Sequence, residues 1–317
     1  MTPQQIEQTI QTLVEHAWDR EVTWGQIKTW TKNFSGATSS SDEEQLQALI
    51  ALSRFIYFGK RLMREMLRSL YRDHFEAPLV QRIRRKLRKS RDEDLIRANY
   101  KRELAATRFV GLGNPSESGA HLLYYFRQVN HLPKDLFVDL GSAFADAIPG
   151  TRNSLLRAHD PTVTRYVFFD DLVGSAQQSS AYLSRSLSRI RKHYAELDLR
   201  FMCLFATNGG LAKLNEPKLF AGNASCLFEL DDSYKAFDTQ QRYFPSTLSQ
   251  EFDLAKFRAV AAHYGKLLFE DHPLGYRDGQ LMLGFTHNTP DNTLPIFWNE
   301  GRSVQWNPLF VRYDKVY

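Results

Sequence analysis

The sequence predicts an α/β protein with a mostly parallel sheet and an all-helical N-terminal region. Before residue 107, apolar residues recur at helical spacing. From residue 107 to 317, short β-branched or aromatic runs alternate with helical stretches, which is the order of βαβ units. One run, Tyr166 to Phe169, ends at two acids, as a buried parallel strand does at the carboxyl edge of a sheet. We therefore expect a helical region over 1–106 and a sheet domain over 107–317.

The N-terminal region is expected to consist of long helices. Thr2 and Pro3 suit the N-cap and first position of a helix. Ser41 and Glu44 match a capping box, and the apolar side of the helix they open continues to Leu70. Pro78 is expected to end that helix or to separate it from the next one.

The segment 79–102 is strongly basic. It holds ten Lys or Arg and three acids, a net charge of +7, whereas the whole chain carries +5, so the remainder sums to −2. Val80, Ile83 and Leu87 at helical spacing predict an amphipathic helix with a cationic face. That face is either solvated or binds nucleic-acid phosphates or an acidic partner. The residues expected to form such a surface are Arg82, Arg84, Arg85 and Arg88.

The second region is expected to contain strands and helices in alternation. The predicted strands are 107–112, 136–140, 163–169, 200–206, 225–230 and 280–286. The predicted helices are 119–130, 175–195 and 252–268.

Composition argues for a cytoplasmic protein. No apolar run approaches the roughly 20 residues that a membrane span needs. The start of the chain lacks the basic and apolar parts of a signal peptide. Cys203 and Cys226 lie inside or beside apolar runs and are expected to be reduced core residues. An oligomer is compatible with the sequence.

The predicted strand that ends at Asp170 and Asp171 is the best candidate for a catalytic site. A turn containing Gly174 and Ser175 follows and leads into a helix-prone stretch. Such a turn leaves backbone N–H groups at a helix start, where a phosphate fits. Two carboxylates beside a phosphate suggest a sugar phosphate. The alternative is that the acids merely cap a helix start.

Other nucleotide and hydrolase motifs are absent from the sequence. Gly59 and Gly265 precede lysines but do not complete the G-x-x-x-x-G-K-[ST] loop. Gly111 and Gly113 approach a dinucleotide fingerprint, but Ser116 stands at its third glycine. Zinc-ligand spacing, H-E-x-x-H and G-x-S-x-G are missing too.

Residues 168–178, FFDDLVGSAQQ, resemble the phosphoribosyl-diphosphate-binding signature of type I phosphoribosyltransferases. The resemblance implies that Asp170 and Asp171 hydrogen-bond the ribose 2′ and 3′ hydroxyls and that the following turn wraps the 5′-phosphate. The turn consists of Gly174, Ser175, Ala176, Gln177 and Gln178. Ser175 stands where the family's first Thr stands, whereas Ala176 replaces a glycine and Gln178 replaces the closing Thr.

Two further stretches make the family resemblance more specific. Residues 285–298 contain the pattern T-P-x-N-T-L-P-x-x-W, and residues 119–127 read GAHLLYYFR. With the first signature, they resemble the divergent phosphoribosyltransferase-like effectors of bacterial anti-phage conflict systems, including some retrons. The resemblance covers 107–317 and implies a sheet of the type I phosphoribosyltransferase kind.

Other residues are candidates for binding substrate or phosphate. The polar loop after residue 285 offers amide and hydroxyl groups. The loop between residues 111 and 119 could present backbone N–H groups to a diphosphate, and the helix after it carries an arginine. The alternative is that these residues only form ordinary turns and loops. The candidates are Gly113, Ser118, Gly119, Arg127, Asn288, Thr289, Asn292 and Thr293.

These features lead to two functional hypotheses. The first is an enzyme that makes or breaks the ribosyl C1 bond of a nucleotide or a nucleic-acid-linked substrate, acting as a toxic effector. A Mg²⁺ ion held mainly by ligand oxygens and waters would suit a diphosphate leaving group. The alternative is a degenerate transferase fold that binds nucleotides or nucleic acid, or joins an assembly, because Ala176 and Gln178 depart from the signature. The retron resemblance implies a reverse transcriptase with its DNA–RNA product and an ATPase as partners.

Overall fold

The computed structural model describes residues 2–111, 118–146, 156–245, 248–301 and 304–312. The helices in these ranges are α1 (Pro3–His16), α2 (Trp24–Thr31), α3 (Ser41–Leu52), α4 (Lys60–Tyr71), α5 (Ala77–Lys86), α6 (Glu93–Ala105), α7 (Ser118–Val129), α8 (Leu140–Ala143), α9 (Gln177–His193), α10 (Asn208–Leu214) and α11 (Leu254–Leu268). The strands are β1 (Ile56–Phe58), β2 (Thr107–Gly111), β3 (Phe137–Val138), β4 (Phe144–Asp146), β5 (Leu156–Ala158), β6 (Arg165–Val173), β7 (Asp198–Thr207), β8 (Ala224–Leu230) and β9 (Leu283–Phe285). Among these helices, none has the length and apolar character needed to cross a membrane.

Internal contacts divide the chain into two compact units. The first unit consists of Met1–Met63 and Asp231–Tyr317, and the second of Arg64–Leu230. This division differs from the one expected at residues 106 and 107. The C-terminal residues pack with the N-terminal helices, and the basic segment packs with the sheet.

The first unit has an aromatic core beneath well-capped helices. Thr2 caps α1 with Pro3 at the first helical turn, as the sequence predicts. The Trp30 indole donates to the carbonyl of Ile296 at 2.8 Å and stacks on Phe297. These contacts explain why 231–317 belongs with the N-terminal helices.

The predicted helix from Ser41 to Leu70 is interrupted. Ser40 rather than Ser41 is the N-cap of α3, and Glu44 is buried and accepts hydrogen bonds from the loop before it. Strand β1 then pairs in parallel with β9. Aromatic and β-branched residues favour a strand here, but the partner strand is so distant along the chain that local spacing could not reveal it.

The second unit is built on five parallel strands in the order β3-β2-β6-β7-β8. Phe168 packs with the apolar side of α9, whereas Phe169 packs on Phe126 of α7 at 5.0 Å. Successive strand residues point to opposite faces, so helices cover both faces of the sheet. The predicted α/β fold with a parallel sheet is confirmed.

Pro78 does not end its helix. Between α4 and α5 lies a π-helical turn, Arg72–Glu76, in which the Ala77 N–H donates to the carbonyl of Arg72. The wider turn lets the chain pass Pro78, which cannot donate a backbone hydrogen bond, without a break. A buried stripe on this helix repeats every fourth residue and consists of Leu67, Tyr71, Phe75, Leu79 and Ile83.

A partly buried ion-pair network lies at the amino edge of the sheet, where β6 and β7 begin. Asp198 accepts from Arg82, Arg165 and Arg200 at 2.9 Å each, and Arg165 also donates to Glu103 at 2.9 Å. Burial acts to raise the pKa of Asp198, but the arginines outweigh it and hold that pKa below its ordinary value. This network joins α5 and α6 to the sheet.

Candidate active site

The order of the strands identifies the carboxyl edge of β2 and β6 as the expected ligand site. Taken in chain order, the five strands are arranged second, first, third, fourth and fifth, so the direction of winding reverses between β2 and β6. In sheets of this kind, ligands bind outside the carboxyl ends of the strands at that reversal. Gly111, the last residue of β2, pairs with Phe169, and Asp170 follows directly. The predicted acids therefore lie at the reversal point.

The two acids lie within the end of β6 rather than after it. The strand continues to Val173, whereas the sequence predicted its end at Phe169. The Asp170 carboxylate accepts from the Asp171 N–H at 2.9 Å, and the Asp171 carboxylate accepts from the Leu172 N–H at 2.7 Å. Asp171 is 8% exposed and Asp170 is half-buried. Each carboxylate is thus held close to the backbone of the strand edge.

The turn after β6 has a left-handed residue at its end. Gly174 is half-buried, Ser175 is exposed, and Ala176 has φ 55° and ψ 8° at the N-cap of α9. A left-handed conformation favours glycine, which explains why an alanine here departs from the signature. Gln177 and Gln178 form the first turn of α9, and their side chains lie outside the description.

The β7–α10 turn contacts the turn after β6, and sequence reasoning missed it. The Thr207 hydroxyl donates to the carbonyl of Gly174 at 2.8 Å and accepts from the Gly210 N–H at 3.0 Å. A Cβ atom on Gly210 would lie 2.1 Å from the carbonyl oxygen of Gly174. The Thr-x-x-Gly sequence after an apolar strand was a signal for a capped helix start, but its contact with Gly174 depends on the tertiary structure.

Two free thiols lie beside the acids. Cys203 pairs with Asp170 in the β6–β7 register and with Cys226 in the β7–β8 register. Both cysteines are buried and free, as predicted. Burial, together with the Cys226 thiol and the nearby carboxylates, raises the pKa of Cys203. The thiol of Cys203 therefore stays protonated and acts as a core residue.

Helix α7 is the next described element after β2 in the chain. Gly113 lies outside the described residues, and Ser118 and Gly119 form the start of α7, where the Ser118 side chain is not among the described ones. Arg127 is nine residues into α7, about 14 Å along its axis from the start. Its guanidinium lies over the Tyr124 ring, with 5.8 Å to the centroid. The structure therefore gives Arg127 an aromatic partner on its own helix.

The second predicted polar loop belongs to the first unit, whereas the acids belong to the second. Thr289 and Thr293 are fully buried and donate to the carbonyls of Phe310 and Leu283 at 3.0 and 2.6 Å. The Asn292 side chain donates to Tyr276 O at 3.1 Å, and the Asn288 side-chain oxygen is buried without a hydrogen-bond partner. Both threonines therefore stabilise the loop.

The basic segment forms two helices instead of one. Residues between α5 and α6 make a turn in which Arg88 and Lys89 have positive φ. Arg82 pairs with Asp198, and Arg84 donates to the carbonyl of Ser90 at 3.3 Å, so both have partners within the chain. The exposed cations of the turn and its flanks include Arg85, Arg88, Lys89 and Arg91. The two helices that they connect contact the amino edge of the sheet through Arg82 and Glu103.

Comparison with known proteins identifies a family. A family model described as PRTase-CE matches residues 27–312. The solved structure of Helicobacter pylori xanthine-guanine-hypoxanthine phosphoribosyltransferase aligns with 43% of this chain and 83% of its own, at 13% identity and a TM-score of 0.21. A likeness at that level supports no conclusion about activity. No curated protein matches the chain.

Proposed function

The chain belongs to the PRTase-CE family, and from that premise we propose that its second unit binds a ribose 5-phosphate group and makes or breaks a bond at the ribose C1. The substrate class is a nucleotide, a phosphoribosyl diphosphate or a nucleic-acid-linked ribose. The observation that carries the proposal is the position of Asp170 and Asp171 at the reversal point of the sheet.

The carboxylates suit the chemistry of C1. Breaking the bond between C1 and its leaving group gives an oxocarbenium-like ring, and an acceptor or water then bonds to C1. Carboxylates that hold the ring hydroxyls also favour the positive charge on the ring, because they act at fixed positions in a partly buried site. Such a site needs no protein nucleophile.

The turn after the acids suits a phosphate. Ala176 has no side-chain group that could cap α9, so the first N–H groups of this 17-residue helix have no cap from that residue. Backbone N–H groups and the positive end of a helix dipole attract a phosphate dianion.

A Mg²⁺ ion fits this site as a companion of the substrate. Within the described ranges, no group of three or more His, Cys, Asp or Glu could hold a metal. Asp170 and Asp171 offer hard oxygen donors, the type that Mg²⁺ binds together with substrate phosphates and water. The ion would neutralise a diphosphate leaving group.

Ligand binding and turnover test the proposal together. We expect phosphoribosyl diphosphate with Mg²⁺ to bind in calorimetric titration, and turnover to appear on labelled phosphoribosyl diphosphate, nucleotides, NAD or tRNA. The double variant Asp170→Asn/Asp171→Asn should lose at least about 100-fold in turnover. Glu196→Gln, an exposed carboxylate next to the amino edge, is the matched control and should behave as the unaltered protein. Equal activity in the double variant would refute the catalytic role.

We also propose that this activity serves as a toxic effector in anti-phage defence. The support is the resemblance of the three sequence stretches to conflict-system effectors. Expression in bacteria should arrest growth, and Asp170→Asn/Asp171→Asn should abolish the arrest at equal protein level. The partners implied by the resemblance, a reverse transcriptase with its DNA–RNA product and an ATPase, are testable by co-expression and co-purification.

A second candidate function is nucleic-acid binding without catalysis. It is favoured by the exposed cations Arg85, Arg88, Lys89 and Arg91 on the α5–α6 turn. Binding to phosphates should weaken steeply with salt, because it releases counterions. Arg85→Glu/Arg88→Glu should abolish such binding, whereas Arg185→Glu on α9 should change it little. If the protein acts on ribose C1 and does not bind nucleic acid, Arg85→Glu/Arg88→Glu keeps full turnover.

A further inference from the structure

The β7–α10 turn supports the backbone of the proposed phosphate turn. We infer that Thr207 is a positioning residue that aims the Ser175 N–H at the phosphate, with Gly210 providing the necessary space. This inference rests on the proposed function, because it assigns a role within that site.

The direction of the Thr207 hydrogen bonds is fixed. Its hydroxyl oxygen accepts from the Gly210 N–H at 3.0 Å, and its one hydroxyl proton points to the Gly174 carbonyl at 2.8 Å. A backbone N–H can only donate and a carbonyl can only accept. The hydroxyl therefore holds the Gly174 carbonyl in one orientation.

Holding that carbonyl also sets the next amide. In a planar trans peptide, the C=O of Gly174 and the N–H of Ser175 point in opposite directions. Because the carbonyl faces Thr207, the Ser175 N–H faces away from β7. Ser175 is exposed, so a ligand can approach the residue that carries this N–H.

Gly210 makes the contact possible. A Cβ atom at this position would lie 2.1 Å from the Gly174 oxygen and 3.0 Å from the Val173 oxygen. Both neighbours are backbone atoms, so the turn itself would have to move. Gly209 is a matched control, because a Cβ atom there meets nothing within 4 Å.

The turn needs this support because it contains a strained residue. Ala176 has φ 55°, a conformation that L-residues other than glycine adopt at a cost. Support from Thr207 at one end of the turn opposes relaxation at the other. Thr207 is itself fixed as the last residue of β7, paired with Leu230.

The experiment compares four variants in the full chain: Thr207→Val, Thr207→Ser, Gly210→Ala and Gly209→Ala. One readout is hydrogen exchange of residues 174–178 in the ligand-free protein. The other is affinity for ribose 5-phosphate and for phosphoribosyl diphosphate with Mg²⁺. We expect faster exchange and about tenfold weaker binding for Thr207→Val and Gly210→Ala. Thr207→Ser and Gly209→Ala should stay within about twofold of the unaltered protein.

The outcomes separate this inference from the proposed function. Unchanged exchange in Thr207→Val overturns the positioning role, even if the unaltered protein binds both ligands. Faster exchange with unchanged affinity also overturns it, and shows that the turn is held but does not bind the phosphate. If the unaltered protein binds neither ligand, the proposed phosphate site and the positioning role both fall. If Thr207→Ser keeps the exchange rate and affinity that Thr207→Val loses, the hydroxyl contact rather than side-chain size is responsible.

Discussion

The two edges of the five-stranded sheet use carboxylates in different ways. At the amino edge, Asp198 and Glu103 contact arginines in a partly buried network. At the carboxyl edge, Asp170 and Asp171 accept from backbone N–H groups of their own strand. Arginine pairing fixes helices to the sheet, whereas Asp170 and Asp171 lie where the winding of the sheet reverses. The same residue type therefore serves stability at one edge and is suited to chemistry at the other.

The largest expected effect comes from breaking the amino-edge network. Asp198→Asn leaves Arg82, Arg165 and Arg200 without their common carboxylate and should lower the free energy of unfolding by about 3 kcal/mol. Asp170→Asn/Asp171→Asn should change it by less than about 1 kcal/mol. Urea unfolding of both proteins measures the contrast. A larger loss in the carboxyl-edge variant would assign those acids a structural role.

A smaller effect is expected in the buried loop of the first unit. Thr293→Val removes the donor to the Leu283 carbonyl and leaves a buried acceptor unsatisfied, so stability should fall by about 1–2 kcal/mol. Thr286→Val is the control, because its half-buried hydroxyl donates to a Glu21 side chain and its loss should cost less than about 1 kcal/mol. Thermal unfolding distinguishes them. Equal stability of Thr293→Val and the unaltered protein would refute the structural role.

The pH dependence of the free energy of unfolding tests the role of the carboxylates at the amino edge. Burial raises the pKa of Glu103, but Arg165 and Lys86 outweigh it, so the pKa values of Glu103 and Asp198 both lie below their ordinary range in the folded chain. Their stabilisation is present above about pH 4 and is lost as the pH falls through the folded-state values. Between pH 6 and pH 3 the loss should be about 1–2 kcal/mol, measured by urea unfolding. Asp198→Asn should show a shallower dependence.

The smallest expected effect concerns two left-handed alanines, one at each edge. Ala176 precedes α9, and Ala221 has φ 50° shortly before β8 begins. Glycine at either position should stabilise the protein by about 0.5 kcal/mol, because the backbone strain it removes outweighs the freedom it adds to the unfolded chain. We expect ligand affinity to change in Ala176→Gly alone. If Ala221→Gly also changed ligand affinity, the effect would not be local to the turn after β6.

Part of this arrangement was predictable from the sequence. The alternating runs predict parallel strands, and the apolar run before Asp170 identifies β6, because burial on both faces requires continuous hydrophobicity. The position of the acids at the reversal point depends on strand order, which single-sequence spacing does not encode. The pairing of β1 with β9 and the contact of Thr207 with Gly174 also depend on residues that are distant along the chain.

Two polar segments show why composition alone misleads. Thr289 and Thr293 looked like ligand groups because they are polar and clustered, yet burial makes them partners of backbone carbonyls. Arg82 looked like part of an exposed face, but Asp198 lies within reach once the sheet is formed. Polarity predicts that a side chain will have a partner, and the fold decides which one.

The π-helical turn between α4 and α5 makes the length of that helix critical. Four-residue spacing of the buried stripe exceeds the 3.6 residues of an α-helical turn, and the wide turn takes up the excess. In an ordinary α-helix of the same length, everything beyond this turn would be rotated by about 100° about the helix axis. Arg82 would then leave Asp198, so the extra residue in the wide turn sets the ion pair that joins α5 to the sheet.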